Sequence, residues 1–256
     1  MKLRRTVLIV LCLLLSNSAQ ADNQLTIAAA ADLRFAMEDV LAAYRSQHPE
    51  AQIDVIYGSS GKMTTQIMNG APYDIFFSAD IAFPERLYRE GFAVTEPSVY
   101  AIGRIVLWSK RHDATDLSLQ DLTQRRIRRI AIAQPSHAPY GLRAQEALQA
   151  VGVWDDIQSK LVFGENIAQV AQMTQAQAAD VGIIALSLAL APALAKDGHT
   201  LIDDALHNPL TQGYVVTRHG KENSLARDFA EYMQQEAART IMETYGFVLP
   251  QNAELP

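Results

Sequence analysis

The loop Tyr57-Gly58-Ser59-Ser60-Gly61-Lys62 follows an apolar run (Ile53, Val55, Ile56) and precedes a helical one (Met63, Gln66, Ile67). A strand that ends in Gly-Ser-Ser-Gly and opens a helix gathers free backbone N–H groups and two hydroxyls at one point. Such a point can hold an anion without a full countercharge. Lys62 suggests a nucleotide P-loop, but that motif needs four residues between its glycines and this loop has two. Three more strand-to-helix junctions are equipped to donate hydrogen bonds: Ala30-Ala31-Asp32-Leu33, His137-Ala138-Pro139-Tyr140-Gly141 and Gly164-Glu165-Asn166-Ile167. Pro139 suits a first helical turn. Ordinary helix capping accounts for any one of these junctions. Two pairs in two successive α/β sets point instead to a shared ligand.

The other chemistry-bearing residues form no second constellation. His48, His112, His137, His199, His207 and His219 are scattered, with neither an HExxH nor a paired metal spacing, although His137 sits at a junction and is placed on its rim. No G-x-S-x-G elbow places a serine nucleophile. Arg125, Arg126, Arg128 and Arg129 read as a solvated face before a strand, with docking of an acidic partner as the alternative. Tyr73 and Phe76 are expected in the core, and Asp74 and Asp80 at turns or caps.

The elements that must position these loops alternate. Leu25–Ala30 reads as a buried strand, and Leu33, Met37, Val40, Leu41 and Tyr44 lie on one face of the helix after it. Strand Ile53–Tyr57, the serine loop with its helix, strand Ile75–Phe77 and a helix with Pro84 in its first turn complete a first set. Ala101–Ser109 reads as one long strand. A second set follows: strand Ile130–Ala133, helix Leu142–Val151, strand Leu161–Phe163, helix Ile167–Ala178, strand Val181–Ala185 and a helix over Leu186–Leu194. Gly213–Thr217 is a last strand, and two helices close the chain around Leu225–Tyr245. Alternation of this kind implies parallel sheets with right-handed crossovers. Two α/β sets with a C-terminal return imply two lobes: 22–101 with 212–256, and 102–211. Ligands of such sheets bind beyond the carboxyl ends of the strands, here across a cleft.

Lys2, Arg4 and Arg5, the apolar run Val7–Leu15 and Ala19-Gln20-Ala21 read as a cleavable signal peptide spanning 1–21, with a run too short to cross a bilayer. The sole cysteine, Cys12, would leave with it, so the exported chain relies on its hydrophobic core and not on disulfides. Three basic residues and no acidic ones are lost, which takes the net charge from −6 to −9. That charge argues against nucleic acid as a partner and requires any anion capture to be local.

Several blocks in order then resemble the periplasmic molybdate-binding proteins that feed ABC importers: AAAADLRFAM, YGSSGKMTTQI, NGAPYDIFFSAD, YAIGRIVLWS, IAIAQPSHAPYGL, GENIAQ, GIIALSLA and a closing YGFVLP. The resemblance implies an α/β, two-lobed type II periplasmic binding protein, each lobe a mostly parallel sheet flanked by helices. It implies a monomer without cofactor or catalysis, which captures molybdate or tungstate and delivers it to a membrane permease. The family's ligand contacts fall on Ala31, Asp32, Ser60 with Ser59 beside it, Tyr140 and Ile167. At Ala31, Tyr140 and Ile167 the contact is the backbone N–H, and no side chain is a direct metal ligand. Asp32 departs from the family's neutral serine or asparagine. An ionised carboxylate only accepts hydrogen bonds, and beside a dianion in a partly desolvated cleft it costs on the order of several kcal/mol. Three resolutions stay open: Asp32 caps the helix from Leu33, it accepts a proton from a hydrogen-bearing oxyanion, or it helps bind a cation or larger ligand. A hydrolase using Asp32 with a nearby serine, and a surface adhesin on the same fold, are the readings from other classes.

Overall fold

The computed structural model describes residues 23–250. The expected signal peptide and Cys12 lie outside them. The first half of the chain builds β1 (Gln24–Ala30), a 3-10 turn (Ala31–Leu33) that runs into α1 (Arg34–Gln47), β2 (Gln52–Gly58), α2 (Ser60–Met68), β3 (Ile75–Ser78), α3 (Ala82–Arg89), β4 (Ser98–Gly103) and β5 (Ile105–Trp108). The second half builds β6 (Ile130–Ala133), α4 (Pro139–Ala150), β7 (Leu161–Gly164), α5 (Ile167–Gln175), β8 (Val181–Ala185), α6 (Leu186–Ala189), β9 (His199–Leu201), β10 (Leu210–Val216), α7 (Ser224–Tyr232) and α8 (Glu236–Thr244).

Two five-stranded sheets result, ordered β2-β1-β3-β10-β4 and β7-β6-β8-β5-β9. β1 pairs in parallel with β2 and β3, and β10 enters antiparallel between β3 and β4. In the second sheet β6 pairs in parallel with β7 and β8, while β5 runs antiparallel to β8 and to β9. The near-continuous apolar strands Ile75–Ser78, Ile130–Ala133 and Val181–Ala185 are buried at every position. That is what helices on both faces of a sheet demand.

Two expected elements differ. Ala101–Ser109 is not one strand: β4 ends at Gly103 in the first sheet and β5 starts at Ile105 in the second. The stretch is apolar on both sides of Arg104 because each segment is buried, but in a different core. β4 continues through Gly103 and β10 begins at Leu210, so the chain leaves the first sheet two residues later, and rejoins it two earlier, than expected. The helix expected over Leu186–Leu194 is a single turn, Leu186–Ala189. Pro192 lacks an N–H and disfavours helical backbone at Ala191.

Matching acidic braces stand at the amino ends of the two sheets. Asp74 accepts the Thr26 N–H (2.8 Å) and contacts His219 Nδ1 (3.0 Å). Asp180 accepts the N–H groups of Arg128 and Arg129 (2.7 and 3.0 Å) and pairs with Arg111 (2.7 Å). The arginine run therefore lies at the end of the second sheet opposite the strand termini that face the cleft.

The first core closes on aromatics. Phe229 of α7 meets Tyr44 of α1 edge-on, with centroids 5.2 Å apart, and Phe77 of β3 at 6.1 Å. Phe229→Ala removes a fully buried ring at this junction and is expected to cost about 3–5 kcal/mol. A urea titration would show a lower midpoint at unchanged slope.

Candidate functional site

The carboxyl ends of β1, β2, β6 and β7 converge where the two sheets face each other. Three of the four helix starts there carry no side-chain cap: Ala30, Ser59 and Ala138 make no capping hydrogen bond. Only Asn166 caps, accepting the Gln169 N–H. First-turn amides have no partner within their own helix. At α4 Ala138 has no polar side chain and Pro139 has no N–H, so Tyr140 supplies the first amide. At α5 the cap engages Gln169 and leaves Ile167 N–H free of it. The fixed amide dipoles of these ends aim at one point.

That point is a cavity of about 10 Å³, roughly one water-sized sphere. Ala31, Asp32, Ser59, Ser60, Tyr140 and Ile167 all line it, with Gly58, Ala79 and Asn166. None of its twelve lining residues is Lys, Arg or His. A cavity of about 590 Å³ lies elsewhere, between the end of α2 and Arg218 and His219, away from the converging helix starts. Among the described residues no cluster of three or more His, Cys, Asp or Glu could hold a metal ion.

The serines differ in role. Ser60 Oγ is buried and accepts the Ala79 N–H (3.0 Å), so its own proton is left for the cavity. Ser59 Oγ instead reaches across to His137 Nδ1 (3.0 Å). No carboxylate among the described residues orients that imidazole, so the pair lacks the third member of a hydrolytic triad. The halves also meet through Gly61 N–H and His137 O (3.0 Å), Lys62 and Glu165 (2.5 Å), and Asp80 and Arg143 (3.2 Å). The exposed Lys62–Glu165 pair contributes at most about 1 kcal/mol, and it directs Lys62 away from the cavity. Asp80 also caps the Ala82 N–H (3.0 Å).

Asp32 does not cap. It is 1 % exposed, and its Oδ2 accepts from Tyr140 Oη and Gln212 Nε2, both at 2.9 Å. Tyr100 Oη donates to Gln212 Oε1 (2.6 Å), which sets the amide so that its Nε2 points to Asp32. Ser187 Oγ donates to Asp32 O (2.8 Å). Burial pushes the Asp32 carboxyl up to about 6, against the Gln212 and Tyr140 hydrogen bonds and the nearby amides of Asp32 and Leu33. Burial, then the Asp32 charge, pushes the Tyr100 and Tyr140 hydroxyls well above the usual phenol range, so both remain donors. Tyr100, Gln212 and Ser187 were not among the sequence candidates. Their signal was faint: one amide inside the apolar strand Leu210–Val216, and two residues from elements with other work to do.

Residues 25–248 match the family described as bacterial extracellular solute-binding protein. The chain is 32% identical to molybdate-binding protein ModA of Azotobacter vinelandii, over 92% of this chain and 94% of that one. It is 33% identical to molybdate-binding protein ModA of Rhodobacter capsulatus, over 75% of each. The solved Azotobacter vinelandii periplasmic molybdate-binding protein superimposes with a TM-score of 0.83 at 32% identity, covering 89% of this chain and 100% of that one.

Two outcomes test this geometry. A Cβ on Gly61 would lie 2.8 Å from His137 O, so Gly61→Ala is expected to cost about 1–3 kcal/mol by forcing the halves apart, read as a lower urea midpoint. The raised Asp32 value means that the folded state holds this proton more tightly than the unfolded chain does. Its stabilising effect is complete below about pH 3.8 and is lost as pH rises through about 6. Asp32→Asn is thus expected to stabilise the protein by up to about 3 kcal/mol at pH 8, and to leave it little changed at pH 4, in chemical denaturation at both pH values. On this sequence, fold and geometry, the chain belongs to the bacterial extracellular solute-binding protein family.

Proposed function

We propose that this protein is an exported receptor that captures molybdate in the cavity between its lobes and hands it to the membrane permease of an ABC importer. The observation that carries the reading is a small cavity ringed by uncharged donors from both halves, with Asp32 among them. Relatives named for molybdate, at 32–33% identity over most of their length, supply the ligand. A tetrahedral dianion accepts many hydrogen bonds and has no proton to give. The backbone N–H groups of Ala31, Tyr140 and Ile167 and the Ser60 hydroxyl are its donors, with Asp32 alongside. Ser59 acts mainly as a latch through His137. Each donor contacts an oxo group and none coordinates the metal.

Donors fixed on two closed lobes cannot follow a smaller ion inward, which favours molybdate and the similarly sized tungstate over sulfate. Opening is a hinge motion about the crossings near Arg104 and Pro209, between a lobe of 23–103 with 210–250 and a lobe of 104–209. The signal peptide is removed after Ala21, and the receptor works as a monomer without catalysis.

Ligand that binds only the folded state stabilises it by about 2.7 kcal/mol at a hundred times Kd. The melting temperature is therefore expected to rise with molybdate and tungstate and to stay unmoved with chloride. Ser60→Ala removes one hydrogen bond to a charged ligand, a loss of about 1.5–3 kcal/mol, and is expected to weaken molybdate binding roughly ten- to hundred-fold by calorimetry. A wild-type protein unmoved by saturating molybdate and tungstate would remove the named ligand.

A further inference from the structure

The two oxygens of Asp32 are treated unequally. Oδ2 is saturated by Tyr140 Oη and Gln212 Nε2. Oδ1 is buried and makes no well-formed hydrogen bond; besides Tyr140 and Gln212, only the backbone amides of Asp32 and Leu33 approach the carboxyl. The residue lines the cavity, and Gln212 cannot turn to serve Oδ1 because Tyr100 holds its other end. A buried acceptor without a donor is costly. Bringing a dianion into the same cavity makes an ionised Oδ1 worse, since two like charges would meet with no lysine, arginine or histidine in the lining. A proton on Oδ1 reverses both problems, because it turns the orphan acceptor into a donor.

We propose that Asp32 meets the anion as a neutral carboxylic acid, so that capture of an oxo-dianion takes up one proton from solvent, held between Asp32 Oδ1 and an oxygen of the ion. The inference rests on the receptor reading above. The atoms balance simply: protein, dianion and one proton give a complex with a net charge one unit less negative than the separate protein and ion combined.

The other groups around Asp32 are mostly neutral or already paired. Tyr140 from α4 and Tyr100 from β4 stay protonated. Gln212 from β10 and Ser187 from α6 are neutral. From α5 the cavity receives Ile167, with Asn166 before it. Glu165, one residue earlier, is occupied by Lys62. Arg34, at the start of α1, lies over the Tyr57 ring (5.8 Å), and Glu38 is one turn further on. Arg143 is paired with Asp80 and Glu146, and His137 is turned to Ser59. No ion pair includes Asp32 among the described residues. Burial already raises the carboxyl to about 6 without an anion beside it, and the dianion raises it further. Proton uptake on binding is therefore greatest above that pH.

The test is isothermal titration of the mature wild-type chain with sodium molybdate at pH 5.5 to 9, in buffers of different ionisation enthalpy, which counts protons per bound ion directly. The expected result is close to one proton per ion between pH 7 and 9, with affinity falling about ten-fold per pH unit there and levelling off below about pH 6. Asp32→Asn keeps a donor at the same place and is expected to bind with no proton uptake, at an affinity flat across the range and tighter than wild type at pH 9. Wild-type binding with no proton uptake between pH 7 and 9 would overturn the inference and leave the receptor reading standing. So would an undiminished uptake in Asp32→Asn. Absence of molybdate and tungstate binding by both proteins at every pH would overturn the receptor reading and the inference with it.

Discussion

The carboxyl group of Asp32 lies fully buried where the two halves of the molecule meet, and the site depends on how its two oxygens are satisfied. One oxygen ties the halves together through Tyr140 from the second sheet's helices and Gln212 from the first sheet's returning strand. The other is buried without a well-formed hydrogen bond, and the residue lines a small cavity together with Ser60 and the starts of four helices. Burying a carboxyl group is unfavourable unless its acceptors are paired. Tyr140 and Gln212, the latter held by Tyr100, supply its side-chain pairing and leave one oxygen over. A structural tether and a cavity-lining group are thus the same residue.

The surrounding architecture supports that arrangement. Strands run parallel within each sheet where they end at the cleft, so that each delivers a helix start to the same side. The antiparallel return of β10 between β3 and β4 carries Gln212 into the junction. Close approach is bought with glycine at two places. Gly61 brings the start of α2 against the His137 backbone, and a Cβ on Gly103 would lie 2.4 Å from Tyr140 Oη and 2.5 Å from Gln212 Nε2. Two cations near the cleft are engaged with carboxylates, Lys62 by Glu165 and Arg143 by Asp80, and Arg34 lies over the Tyr57 ring. Apart from Asp32, the cavity is left to neutral dipoles despite an acidic protein around it. Preorganised amides suit a tetrahedral oxyanion, because they are already oriented and need little rearrangement to receive charge.

Much of this was legible in the residue order. Apolar runs alternating with helical periodicity were enough for two α/β units, and glycine, serine and proline at the junctions marked the four helix starts. The six residues singled out there line one cavity. Residue types also made Asp32 conspicuous, since a carboxylate among neutral donors is chemically out of place.

What tertiary structure alone decided is how those pieces face each other. Sequence does not say that the apolar stretch around Gly103 divides between two cores, because burial in either core selects the same side chains. Nor does it distinguish Ser59 from Ser60: the roles separate only because His137 lies 3.0 Å from one and the Ala79 amide 3.0 Å from the other. The aim of the Asp32 carboxyl was open among three possibilities, and helix capping was the local one. Partners 108 and 180 residues away in the chain prevailed, since hydrogen bonds in a buried junction outweigh a local preference that water can equally satisfy.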